Sequence, residues 1–282
     1  MAESPLENIL SKVWKRIIVY MAIVLFLFWA LTLISPAKEL SLFVALLSSA
    51  LLIESQRSNS KITGTGFFGG KVIVFSLLYT LLLIISYIII FLLVINISGF
   101  GIKYNGISNM GYFLMASGLM IISAVNEELI FRGIIYQALT QKFSWINVSL
   151  VSSVIFSILH FLYISFSFIA FINIFLASLL LYLAYQMTRT LWLPVFWHVG
   201  WNLMQAIVLA SPVSGFDYQL NIFKITYQNS FLLGQVSYGI ESGLATTLCL
   251  IISIPIIIKY VKSEPEHIAF NINREYSEFL LT

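Results

Sequence analysis

The segment Ala124-Val125-Asn126-Glu127-Glu128-Leu129-Ile130-Phe131-Arg132-Gly133 places two adjacent carboxylates and a guanidinium near the end of an otherwise apolar run. A charge at bilayer depth costs roughly 2.5 to 3.5 kcal/mol on insertion scales. Three charges held together at that cost mark a candidate functional site.

The run that holds them is typical of the chain. With 60% hydrophobic and 10% charged residues and a mean hydropathy of +0.96, the 282 residues cannot cover a core with polar surface. The chain therefore reads as a polytopic membrane protein. At about 20 residues per span, this length holds about eight spans and leaves no room for a separate soluble domain. Helices are expected, because apolar runs this long lack the alternating polar face of a membrane barrel. The fold class is thus an all-α transmembrane bundle forming one integral membrane domain over residues 1–282. The single Cys249 lies in an apolar run, which excludes an internal disulfide. A formal charge of +3 is too small to imply a nucleic-acid partner.

The expected spans are Ile17 to Ile34, Leu40 to Ile53, Val72 to Ile97, one beginning near Met110, Ile146 to Leu162, Ser165 to Met187, Leu191 to Leu209 and Leu244 to Tyr260. Basic residues accumulate on the cytoplasmic side of membrane proteins. With the N-terminus inside, Lys12, Lys15, Arg16, Arg57, Lys61, Lys71, Lys142, Arg189, Lys259, Lys262 and Arg274 fall inside. Only Lys38, Lys103 and Lys224 fall outside. That partition supports eight spans with both termini in the cytoplasm. The first span reads as a retained signal anchor, since residues 1–16 mix acids and bases. Residues 263–282 read as a polar cytoplasmic tail. The Asn221 to Glu241 stretch is the largest outer connection and carries no readable motif.

Two of the three histidines, His160 and His198, lie within expected spans, and His267 lies in the tail. An antiparallel hairpin turning near residue 143 or 144 places Glu127 and His160 level. Each is then about 16 residues, or ~24 Å of helix, from the turn. The helix bearing the acids must continue through Leu139, which makes Arg132 helical. Glu128 and Arg132 are i and i+4 on one face and suit an ion pair, while Glu127 is rotated by about 100 degrees. Phe156 with His160, and His198 with Asn202, share the same spacing.

A carboxylate, an imidazole, and an imidazole with an amide, drawn from three helices, suffice for hydrolysing an amide inside the membrane. A carboxylate withdrawn from water holds a proton more readily, which makes it a competent general base, and a neighbouring His can shuttle that proton. The second His and the Asn can donate to an oxyanion. A zinc ion held by Glu127, His160 and His198 is the competing assembly. The plain readings are a structural Glu128–Arg132 ion pair, and His198 and Asn202 as interhelical hydrogen-bond glue. Phe131, Phe156, Trp197 and Trp201 read as packing or cavity wall, and Ser152 and Ser153 as small residues for close helix contact.

The segments Glu127 to Gly133, Phe156-Ser157-Ile158-Leu159-His160 and His198-Val199-Gly200-Trp201-Asn202 resemble the three motifs of the CPBP family. These are the CAAX-processing and bacteriocin-processing intramembrane proteases, also called Abi proteins. The resemblance covers residues 110–209, expected as the catalytic core. It implies an intramembrane endopeptidase with a cavity opening toward the cytoplasm, Glu127 and His160 activating water, and His198 and Asn202 stabilising the oxyanion. Both a metalloprotease and a metal-free glutamate mechanism belong to the family's description; the metal-free one is favoured, with no cofactor. Small residues, often Gly, are expected along the sixth span and before the seventh; Ala177, Ser178 and Thr188-Arg189-Thr190 stand there instead.

Gly64-Thr65-Gly66-Phe67-Phe68-Gly69 fits a dinucleotide fingerprint by letter, but no strand precedes it. The chain has no His-Glu-x-x-His zinc signature. A transporter or a catalytically silent scaffold would also keep polar groups in the membrane. The scaffold would be expected to lose one of Glu127, His160 or His198, and none is lost. The expected partners are a membrane-associated protein or peptide substrate and the lipid bilayer, in a bacterial plasma membrane.

Overall fold

The computed structural model describes residues 13–32, 70–140, 142–161, 166–226 and 230–263. Within them run helices α1 (Val13–Thr32), α2 (Gly70–Ile97), α3 (Met110–Leu139), α4 (Trp145–Leu159), α5 (Phe168–Thr188), α6 (Trp192–Leu203) and α7 (Leu244–Ser263), with strands β1 (Gly101–Tyr104) and β2 (Phe223–Thr226). The expected span Leu40 to Ile53, the glycine stretch 64–69, His267 and the tail from 264 onward lie outside the described residues. Three helices, Val72–Ile97, Met110–Leu139 and Phe168–Thr188, are long and apolar enough to cross a membrane. Trp145–Leu159 and Leu244–Pro255 are shorter apolar helices. The described residues are mostly helical and supply three candidate spans; the count of eight rests on the sequence alone.

Polar residues start three of the helices, whereas α6 starts after Leu191 with no side-chain cap. Asn109 accepts from the Tyr112 amide (2.9 Å) at the head of α3, Ser144 from Asn147 (3.3 Å) at α4, and Ser167 from Ala170 (3.4 Å) at α5. The turn between α3 and α4 thus closes at Ser144, and α3 continues through Leu139 as the hairpin reading requires. One difference lies inside α3: residues Leu129–Tyr136 are π-helical, between α-helical turns at Met110–Glu128 and Gln137–Leu139. Likewise α6 passes into a π-helical turn at Met204–Val208.

Lipid tails are as apolar as leucine, so close packing and polar contacts, rather than burial alone, hold membrane helices together. The α2–α6 seam shows how. Ser76, Thr80, Tyr87, Phe91 and Ile95 form the buried face of α2, while Leu82, Ile85, Ile89 and Leu93 point outward. Gly200 of α6 faces Thr80 and Ile84 so closely that a Cβ there would lie 3.2 and 3.1 Å from their side chains. Tyr87 also shares a 2.7 Å hydrogen bond with Ser253 of α7. Free Cys249 is buried in the same cluster.

The all-α expectation misses a two-stranded antiparallel ribbon, with Lys103 opposite Lys224 and Tyr104 opposite Phe223. Four-residue strands 120 residues apart leave no local alternation to read. The described parts of the connection after α6, 209–226 and 230–243, pack over the same end of the bundle. Glycines permit its tight course: Gly234 (φ +96°) and Gly239 (φ +101°) are left-handed, and a Cβ on Gly239 would lie 2.2 Å from the Pro212 carbonyl oxygen.

Candidate active site

Glu127 and Glu128 end the α-helical part of α3, just before its π segment; such insertions recur at functional sites. Adjacent helical residues diverge by about 100 degrees, and these two carboxylates have opposite fates. The Glu128 side chain is fully buried, whereas that of Glu127 stays 34% exposed and faces a cavity.

Glu128 Oε1 accepts from Arg132 Nη1 (2.8 Å) and lies 2.8 Å from His198 Nδ1. Arg132 is also fully buried, and its Nη2 donates to the Ser178 carbonyl (2.9 Å) and hydroxyl (2.7 Å). The guanidinium lies over Tyr182 (4.4 Å to the ring centroid) and Phe156 (5.1 Å). Ser178, at a position where the resemblance leads one to expect a smaller residue, therefore supplies two acceptors to the buried cation.

The hydrogen bonds fix the imidazoles. His160, at the end of α4, holds Nδ1 2.8 Å from the Phe156 carbonyl oxygen. A carbonyl only accepts, so Nδ1 carries the hydrogen, and the neutral ring presents a lone pair at Nε2. His198 is oriented the same way by Glu128, with its Nε2 3.9 Å from Glu127 Oε2. The contact to Glu127 comes from His198, and His160, level with Glu127 in the hairpin reading, lines the same cavity. His198 donates from Nε2 only as an imidazolium. Asn202, one turn further along α6, has no protein hydrogen-bond partner among the described residues.

Glu127, His160, His198 and Asn202 line one cavity of about 940 Å³, mouth included, together with Phe131 and Phe156. An adjoining cavity of about 520 Å³ is walled by Trp197, Trp201, Ile174 and Leu181 and shares His160, His198 and Asn202. Phe156 packs edge-on against Phe131 (5.0 Å) and 4.5 Å from the His160 ring, which makes it a wall and a brace for that ring. Ser152 and Ser153 are buried and line neither cavity.

Sequence reasoning missed Val213, Ser214, Phe216 and Tyr218, which close the larger cavity from the loop after α6, and Glu241, which lines the smaller one. The signal for Glu241 was an isolated acid in a connection with only one other, Asp217. Because this loop lies at the ribbon end of the bundle, the cavity reaches the end that the basic-residue partition puts outside. A cytoplasmic opening and that partition do not fit one geometry.

Two imidazoles and a carboxylate suit zinc by donor chemistry. Among the described residues, however, no group of three His, Cys, Asp or Glu side chains stands close enough to hold a metal ion.

Residues 109–204 match the Rce1-like family, described as Type II CAAX prenyl endopeptidase Rce1-like. A Bacillus subtilis (strain 168) protein named "Putative membrane peptidase YdiL" is 34% identical over 104 residues, covering 34% of this chain and 37% of the relative. The chain thus matches little more than a third of that relative's length. No solved structure matches. The stretch that holds all three motifs, residues 109–204, is Rce1-like in sequence.

Proposed function

We propose that this chain is an intramembrane endopeptidase that hydrolyses a peptide bond of a membrane-associated protein or peptide without a metal. One observation carries the reading: a partly exposed carboxylate, two oriented imidazoles and an unpartnered carboxamide from three helices line a single cavity. Residues 110–209 form the catalytic core. Glu127 takes a proton from water, and the hydroxide oxygen bonds to the scissile carbonyl carbon. Asn202, with His198 as imidazolium, donates to the oxyanion that forms. His160 Nε2 receives and passes on the proton that the leaving nitrogen gains as the C–N bond breaks. Glu128 positions His198, Arg132 holds Glu128, and Phe156 orients His160.

The protein acts within the bilayer, in a bacterial plasma membrane, and its substrate enters from the ribbon end. Membranes containing wild type or Glu127→Gln, compared for new peptide termini, test the proposal. General-base loss costs about 10²-fold or more, so termini made by wild type should vanish in a variant that remains folded and inserted. Equal cleavage by Glu127→Gln would refute the assignment. Elemental analysis tests the competing assembly: stoichiometric zinc in the purified protein would overturn the metal-free mechanism.

A further inference from the structure

We infer that Glu241, which lies outside the family-matched stretch, is a positioning residue: its buried carboxylate pins the Val213–Phe216 turn as a roof over the catalytic cavity. The kinetic consequence rests on the peptidase reading, whereas the pinning does not.

Glu241 sits in a 3₁₀ turn, Ile240–Ser242, and is 7% exposed. Among the described residues it forms no ion pair with a cation, and a buried carboxylate so placed is costly unless its oxygens are hydrogen-bonded. They are. Oε1 accepts from Trp201 Nε1 (3.3 Å) and Gln205 Nε2 (3.1 Å); Oε2 accepts from the Ser214 amide (2.8 Å) and hydroxyl (3.2 Å). The backbone is held too: the Glu241 carbonyl accepts from Asn173 Nδ2 (2.6 Å), and Asn173 Oδ1 accepts from Thr247 (2.7 Å). The acid is thereby fixed to α5 and α7 and grips two further pieces.

Those pieces belong to the site. Ser214 lines both cavities beside His160, His198 and Asn202. Its φ of +48° lies in the left-handed region that non-glycine residues rarely adopt, so the turn needs an outside hold. The two bonds from Ser214 to Oε2 supply the side-chain part of that hold, beside the backbone bond from the Gly215 amide to the Tyr238 carbonyl (3.1 Å). Trp201 immediately precedes Asn202, so the same carboxylate ties the roof to the helical turn that carries the oxyanion donor. Glutamine at position 241 would offer one acceptor and one donor where four donors converge, and would release one side.

The test uses the full chain, with Val213→Cys as a reporter in a Cys249→Ala background. Val213 is 5% exposed, so maleimide labelling reports opening of the roof. Adding Glu241→Gln should speed labelling about tenfold or more, the effect of losing hydrogen bonds to a charged group. Without the reporter, Glu241→Gln should lower kcat about tenfold while KM stays within about twofold, as for a misplaced catalytic group. Unchanged labelling overturns the pinning, and faster labelling with unchanged kcat overturns the positioning role. If wild type cleaves nothing, the peptidase reading fails while labelling still decides the pinning. If Glu241→Gln does not fold, Ser214→Ala replaces it: it removes the hydroxyl bond to Oε2 while keeping a side chain at the left-handed position, and unchanged labelling there overturns the inference.

Discussion

Replacing Arg132 by methionine would strand the Glu128 carboxylate in a place with no access to water. Both side chains are fully buried, so no solvent screening softens the loss. Removing one partner of a buried ion pair costs about 3 to 5 kcal/mol. The Ser178 bonds and the stacking on Tyr182 overlap with that cost and are not added to it. At about 2 to 4 °C per kcal/mol for chains approaching this size, Arg132→Met should melt roughly 6 to 20 °C below wild type. Tryptophan fluorescence during heating of the detergent-purified protein measures this. The decisive comparison is Glu128→Met with Arg132→Met. Exchanging both members of a buried pair for apolar residues is often neutral or stabilising, so the double variant should melt well above the single Arg132→Met. It should still be inactive, because His198 loses the carboxylate that orients it. Should the double variant melt at or below Arg132→Met, the ion-pair reasoning would be refuted. Arg132→Lys is expected to fall between, since a single ammonium does not reproduce the fork that spans Glu128 and Ser178.

At Gly200, alanine would meet Ile84 and Thr80 of α2 at 3.1 and 3.2 Å. Both are β-branched and stiff, so Gly200→Ala should cost about 1 to 3 kcal/mol and lower activity by shifting His198 and Asn202 on the same helix. A melting temperature equal to wild type would show that the seam has slack. Arg189, exposed at the end of α5, takes φ +53° where glycine is the usual cap. Arg189→Gly should therefore stabilise by about 1 kcal/mol, seen as a rise of about 2 to 4 °C; a fall would count against strain at this position.

What was legible in the sequence was whatever is expensive in lipid. Charges and imidazoles in apolar runs stand out; 3.6-residue periodicity pairs Glu128 with Arg132, and the register of the hairpin puts Glu127 and His160 at one level, where both line one cavity. Which partner each group takes was not legible. The bond from His198 to Glu128 joins residues 70 apart and depends on the rotation of α6, which no local spacing encodes. The π segment after Glu128 is equally hidden, because a one-residue change in helical repeat leaves composition untouched. Ser178 could be seen as a departure from small-residue packing but not as a ligand of Arg132. Ser214 and Glu241 were inconspicuous for the opposite reason: polar residues in a connection cost nothing in the sequence, and only the fold reveals that these are buried.

Chain connectivity joins that roof to the question of which side a substrate comes from. The end of α2, the start of α3, His160, the start of α5 and the described parts of the 209–243 connection all lie at the ribbon end. Lys103 and Lys224 are the lysines of the ribbon itself. The opposite end receives the start of α2 with Lys71, the α3–α4 turn with Lys142, the α5–α6 turn with Arg189, and the last turns of α7 with Lys259 and Lys262. Five bases against two repeat, on the fold, the direction of the eleven-to-three partition of the whole sequence, and the positive-inside rule would put that basic end in the cytoplasm. The cytoplasmic opening is what motifs within residues 109–204 imply, a stretch that contains neither the roof nor five of those seven bases. The charge asymmetry belongs to this chain's own residues, and the Val213–Tyr218 lining belongs to its own cavity. Taken together they orient the proposed peptidase with its roofed mouth away from the basic face, and a substrate would have to pass the turn that Glu241 holds.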